Sequence, residues 1–322
     1  MVMDQATRAR ARAAMLEALG RHLLDARRDI NLIDIGEASK DGEVVPLAIR
    51  YHVAERLTTR ELTDRGIDRL PPEVNGFKTD VIRAMYQTSS LWWSTAGSSS
   101  ERRTPTEPVR GGISIGAEYF ESGTLGGIVV DRATQQKMIL SNWHVLVARW
   151  YAKSGQRIYQ PSRSDGGSSA NVIGNYTRHA MHKNLDAAVA LLNATHALSN
   201  VPVGIAKPVT GAALSELGMS VEKSGRSSKV TFGRVTGVLG IARMRYDGVE
   251  RILRDVVAID PQNPGNEVSS PGDSGSWWLE SSSKKAIGLH FAGSNLPERA
   301  LALDIQEVLT ALDVEIPEKL QA

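Results

Sequence analysis

Cysteine is absent from all 322 residues. That excludes a disulfide framework, a thiolate nucleophile and any metal site built on sulfur. Charge of one sign is also lacking: 38 basic residues stand against 36 acidic, for a net charge of +2. Residues 1–110 alone hold 17 basic and 16 acidic side chains, so neither end is polarised. Nothing in this balance favours a nucleic acid or an anionic membrane as partner. No apolar run reaches the roughly 18 residues that a membrane span needs. The N-terminus shows no apolar stretch of signal-peptide length, and Asp4, Glu17 and Asp25 interrupt the arginine-rich start that a transit peptide would keep acid-free. The expected compartment is the cytoplasm. The close histidine pair His179–Ala–Met–His182 has no further ligands at suitable spacing, so neither a metal nor a cofactor is expected. Internal repeats are missing too.

What is present falls into two textures. Residues 4–27 read as an amphipathic helix with Ala14, Leu16, Leu19, Leu23 and Leu24 as its apolar stripe. Strands are predicted over 30–36 and 44–54, around a turn at Lys40–Asp41–Gly42. Thr58 or Thr59 caps a short helix, and Phe77–Arg83 reads as another strand. Residues 1–85 are therefore expected to form a small α/β accessory domain. Residues 86–110 are rich in Ser, Thr, Pro and Gly and read as a poorly ordered linker, with Leu91–Trp92–Trp93 docked on a neighbouring domain. From Gly111 the pattern changes to short strands with frequent turns, such as the hairpin around Asp131–Arg–Ala–Thr134. A helix closes the chain near 304–312, with Ile305, Val308, Leu309 and Leu312 on one face.

The chemistry concentrates in Val268–Ser–Ser–Pro–Gly–Asp–Ser–Gly–Ser–Trp–Trp278. Ser274 lies between two glycines that let a backbone turn sharply and a substrate approach. Such a turn can present a hydroxyl and aim neighbouring N–H groups at the same point. Upstream stand Leu140–Ser–Asn–Trp–His144 and Asn184–Leu–Asp186–Ala–Ala–Val. The order His144, Asp186, Ser274 is one of the known orders of a nucleophile, base and orienting-acid triad. Lys223–Ser–Gly–Arg–Ser227 lacks the full phosphate-loop pattern and reads as a turn between strands.

These motifs, with Gly123–Thr–Leu–Gly–Gly127, Val221–Glu–Lys–Ser–Gly–Arg–Ser227 and Gly288–Leu–His–Phe–Ala–Gly–Ser294, resemble the chymotrypsin-like serine proteases over roughly residues 111 to 315. The likeness is to the intracellular bacterial branch related to the plant narrow-leaf protein. It implies a mainly β, two-barrel protease domain, with barrel one over 111–204 and barrel two with the C-terminal helix over 205–322. It implies a serine endopeptidase in which Ser274 attacks, His144 moves the proton and Asp186 orients the imidazole. Gly272 and Ser274 would form the oxyanion hole. Val268 and Ser269 would floor the specificity pocket, and His290, Phe291, Ala292 and Gly293 would line the substrate strand. Valine at 268 points to small or medium apolar residues before the cut, whereas a shift of one residue would bring Glu267 to the floor. Asp273 needs a buried cation. It would come either from an amine freed by cleavage after Arg110 or from an internal partner, and an internal partner suits a cytoplasmic enzyme. Two departures stand out: Val145 replaces the cysteine that commonly follows the histidine, and Phe291 stands where the family often has a small polar residue supporting the aspartate. The implied partner is a protein substrate, and assembly beyond a monomer is implied as well. A catalytically weak protease fold serving as an oligomeric binding scaffold is the competing function.

Overall fold

Strands of β-branched and small apolar residues, broken by Gly, Asn and Asp, dominate the computed structural model, which describes residues 3–20, 27–40, 43–88, 101–118 and 122–320. The first barrel is built from β7 (Ser114–Ala117), β8 (Gly123–Thr124), β9 (Gly127–Asp131), β10 (Lys137–Ser141), β11 (Arg157–Tyr159), β12 (Val172–His179) and β13 (Ala188–Leu192). Its sheet runs β9-β10-β13-β12-β11-β7-β8. Because β8 continues within two residues into β9, the sheet curls back on its own start. The predicted hairpin is there: Asp131 accepts bonds from the Ala133 and Thr134 N–H groups and fixes the turn between β9 and β10. A one-turn helix, Trp143–Leu146, follows β10.

The second barrel closes fully. β15 (Ser220–Gly225), β16 (Lys229–Tyr246), β17 (Val249–Pro261), β18 (Trp277–Glu280), β19 (Ala286–Asn295) and β20 (Glu298–Asp304) form a ring in the order β15-β18-β19-β20-β17-β16, and β15 pairs with β16 to complete it. Closure pairs every strand of the ring with two neighbours over part of its length, which removes most of the edge that an open sheet would expose. The predicted C-terminal helix spans Ile305–Leu312 and buries Ile305, Val308, Leu309 and Leu312. A last strand, β21 (Val314–Glu315), then pairs with β9 and ties the chain end to barrel one.

Residues before 89 build onto barrel two. They comprise helix α1 (Gln5–Ala18), strands β1 (Ile30–Lys40) and β2 (Glu43–Val53), helix α2 (Thr59–Asp64), and strands β3 (Glu73–Val74), β4 (Phe77–Arg83) and β5 (Gln87–Thr88). β1 pairs antiparallel with the far half of β16, Leu32 opposite Ala242. β2 and β4 extend the sheet outward, the latter parallel. Ala11, Ala14 and Met15 share one hydrophobic core with Ile33, Val238 and Trp278.

Two expectations need correction, and two fall outside the described residues. α1 spans Gln5–Ala18, and the predicted stretch 21–26, with Leu23 and Leu24, lies outside the described residues. Its buried face is Ala11, Ala14, Met15 and Ala18, while Leu16 is 58% exposed. Small residues let the helix sit close against the sheet, and a leucine stripe would hold it off. Leu91–Trp92–Trp93 falls outside the described residues. Residues 101–110 are pinned rather than loose. The buried Arg102 guanidinium donates to the carbonyls of Gly112, Val203 and Gly225 and to the Ser224 hydroxyl. Strand β6 (Val109–Arg110) pairs with β14 (Leu198–Ser199).

Candidate active site

Of three motifs from distant parts of the chain, those of His144 and Asp186 come into contact, and that of Ser274 stands on the loop between β17 and β18. The short helix after β10, α3 (Trp143–Leu146), carries His144. Asp186 stands two residues before β13, and Ser274 three residues before β18. Asn142 locks the first two together by donating to the Asp186 carbonyl at 2.7 Å. The Asp186 carboxylate accepts the His144 backbone N–H at 3.1 Å and meets His144 Nδ1 at 2.5 Å. Asp186 is fully buried and His144 is 5% exposed. A carboxylate so placed fixes the ring's orientation and keeps the Nδ1 proton, leaving Nε2 as the basic nitrogen. Nε2 is buried and has no hydrogen-bond partner among the described residues. The Ser274 hydroxyl bonds the Phe291 carbonyl, at 3.5 Å.

Tyr246, at the end of β16, escaped sequence reasoning because nothing local marks it. Its ring lies 5.9 Å from that of His144 and meets Trp143 edge-on at 6.1 Å. Burial, then the neighbouring Asp186 carboxylate, raise its pKa well above the ordinary phenol value. A phenol therefore adjoins the aspartate where β19 offers only Phe291.

The loop around Ser274 is held by its glycines and by Asp273. Gly272 and Gly275 adopt φ of +97° and +96°, which side chains disfavour. A Cβ on Gly275 would come 2.0 Å from Ser141 Oγ and 2.2 Å from the Thr124 carbonyl. Asp273 is fully buried, and its carboxylate accepts Lys223 Nζ at 2.7 Å and the N–H groups of Ser227, Ser228 and Ser270 at 2.9, 3.1 and 2.9 Å. Burial pushes the Asp273 pKa up, but Lys223 and these bonds outweigh it and hold the group below the usual carboxylate range. Lys223 itself is fully buried, with its ammonium 5.5 Å from the Trp278 ring. The stretch expected as a turn at 223–227 is still strand β15 as far as Gly225, and its Lys223 supplies the internal cation. The N–H groups of Asp273, Gly275 and Ser276 are spent on Ser270, His290 and Asp273 carbonyls. Those of Gly272 and Ser274 make no bond among the described residues.

The remaining candidates divide. Val268 is buried in the apolar core, and its N–H, with that of Ser269, donates to Glu298 Oε1 at 2.9 and 3.3 Å. Ser269 lines a cavity of about 330 Å³ with Ser270, Pro271, Gly293 and Ser294. Neither Val268 nor Glu267 is among its walls. Phe291 and Ala292 are buried in β19 beneath the site. His290 is fully buried too; burial first, then the charge of Lys223, lowers its pKa to about 3, so it stays neutral. Among the described residues no cluster of three or more His, Asp or Glu side chains could hold a metal ion. Among the described residues no helix is long and apolar enough to cross a membrane.

No protein-family model matches the sequence. Among curated proteins, "Serine protease 2" of Streptomyces fradiae is 30% identical over 149 residues, which is 46% of this chain and 73% of that one. Among solved structures, the chymotrypsin of Cellulomonas bogoriensis aligns at 18% identity and a TM-score of 0.49, covering 66% of this chain and 99% of that chain. Protease A of Thermobifida fusca aligns at 15% identity and a TM-score of 0.47, covering 65% of this chain and 97% of that chain. The likeness in sequence spans most of the Streptomyces enzyme, and on that ground the chain belongs to the chymotrypsin-like serine proteases.

Proposed function

We propose that the chain is an endopeptidase that cuts protein substrates through an acyl-enzyme on Ser274. The observation that carries this is the buried His144–Asp186 pair at 2.5 Å beside a serine loop with two unspent N–H groups. His144 Nε2 takes the Ser274 proton as the hydroxyl oxygen bonds to the scissile carbonyl carbon. The carbonyl oxygen gains the negative charge, and the Gly272 and Ser274 N–H groups receive it. Asp186 stabilises the imidazolium. When the C–N bond breaks, His144 returns the proton to the leaving amine. Water, deprotonated by the same nitrogen, then releases the acyl group and restores the serine. The uncharged cavity of Ser269, Pro271, Gly293, Ser294 and Leu296 suits a small or medium apolar residue before the cut. The intracellular bacterial branch and the cytoplasm remain our reading of its lineage and place, supported by a barrel pair that relies on no cysteine.

Ser274→Ala tests the assignment. Hydrolysis and fluorophosphonate labelling should both vanish while the melting temperature stays within a few degrees. Undiminished turnover in that variant would remove the nucleophile from Ser274. Wild-type protein that resists the label would favour the binding-scaffold reading.

A further inference from the structure

β19 has one edge that the rest of the barrel leaves free. Over Gly288 and Leu289 it is flanked by both β18 and β20. From Ala292 to Asn295 only β20 continues beside it among the barrel strands. The free edge starts next to Phe291, whose carbonyl bonds the Ser274 hydroxyl. An uncovered edge beside a nucleophile accepts an extended peptide by strand addition, backbone to backbone.

The chain fills that edge itself. β5 lies antiparallel to it, Thr88 opposite Ala292 and Gln87 opposite Gly293. Thr88 therefore stands one residue nearer than Gln87 to the Phe291–Ser274 contact. Met85, Gln87 and Thr88 also wall the 330 Å³ cavity that Ser269 and Gly293 share.

A two-residue ladder alone holds weakly, but the residue before it is anchored. Tyr86 is 6% exposed. Its hydroxyl meets His52 Nδ1 at 2.8 Å and accepts from Arg299 at 3.4 Å. His52 Nε2 lies 3.2 Å from Asp34, which Arg50 grips with two nitrogens, and Arg299 is itself paired with Asp260. Asn31 holds the Ala84 carbonyl at 2.8 Å. β1, β2, β17 and β20 all contribute to this anchor.

We propose that Met85–Thr88 is an intramolecular ligand of the substrate strand. It takes in cis the edge of β19 that an extended peptide substrate would pair with, and so holds the enzyme back from such substrates. The proposal rests on the protease reading above and deepens it: the substrate is an extended polypeptide that must displace β5.

The test uses the full chain and a mixed pool of acyl-tetrapeptide anilides. Gln87→Pro with Thr88→Pro removes both N–H groups from an exposed edge, and Tyr86→Phe removes the anchoring hydroxyl. Each should raise kcat/KM by about tenfold, mainly through KM, the scale of one or two lost ladder bonds. The peptide Ala-Met-Tyr-Gln-Thr, added to the double proline variant, should inhibit competitively. Variants with wild-type melting curves and rates within twofold of wild type overturn the proposal. So does absence of inhibition by the peptide, which needs no assumption about how the variants fold. Fluorophosphonate labelling separates the two claims. Labelling in all forms with unchanged peptide rates sinks the strand proposal alone, and no labelling or turnover in any form sinks the protease reading with it.

Discussion

Asp273 and Lys223 form an ion pair with neither side chain exposed. Removing two charges from water is costly, and only a close partner and further hydrogen bonds offset it. Here the offset comes from Lys223, the Ser228 hydroxyl and three backbone N–H groups, all converging on a carboxylate adjacent to Ser274. The pair therefore fixes the peptide planes of Gly272 and Ser274. Lys223→Met should leave the carboxylate buried and uncompensated, costing about 3–5 kcal/mol of stability. Labelling of Ser274 should fall with it, because the loop loses the contact that shapes it. Thermal melts and fluorophosphonate kinetics on the same sample check both. A variant that melts and labels like wild type would show that the loop holds its shape without the lysine.

At the scale of elements, the strand leading into barrel one bears on activation. Val109 and every residue from Gly111 to Ala117 are buried, and Val109–Arg110 is paired in β6. A Cβ on Gly111 would lie 2.5 Å from the Gly126 carbonyl. A protease needs an extended, accessible segment, which this one is not. Since Lys223 already neutralises Asp273, a freed amine has no vacancy to fill. Intact-mass measurement of the fluorophosphonate-labelled species should return the uncut chain across 110–111. A labelled species that starts at Gly111, with activity rising as it appears, would reverse this. The sequence made some of these elements legible and hid others. The hairpin at Asp131–Thr134 and the helix at 305–312 were visible because their signals are local. The motifs of His144, Asp186 and Ser274 were equally readable, each being a short run with its own chemistry. Lys223 looked like a turn residue because its partner lies 50 positions away. β5 hid in a Ser- and Thr-rich stretch because two residues carry no period, and its order comes from β19 and from Tyr86.

For the whole molecule, barrel two and the N-terminal strands that extend its sheet hold buried ionisable groups whose titration bears on acid stability. His290 lies in β19 one residue before Phe291, and burial with the Lys223 charge lowers its pKa to about 3. His52 sits at the junction of β2 with Tyr86, and burial lowers its pKa below the usual imidazole value despite Asp34. Unfolded, each would bind a proton near pH 6.5. Between that value and the folded pKa, the unfolded chain holds protons that the native one does not, so stability falls as pH falls. For His290 the slope is about 1.4 kcal/mol per pH unit between about 6.5 and about 3. Asp34 and Asp273 act in a separate, lower window. Their folded pKa values lie below the carboxylate range, so their contribution is full above about pH 4 and is lost only in stronger acid. Acid unfolding should therefore begin between about pH 6.5 and about pH 4, before Asp34 or Asp273 takes up a proton. Thermal melts by circular dichroism from pH 7.5 to 4 should show a steady fall, and His290→Gln should flatten it, since glutamine has no proton to gain in the unfolded state. A melting temperature level down to pH 4, or a slope identical in His290→Gln, would remove this histidine from the account of acid stability.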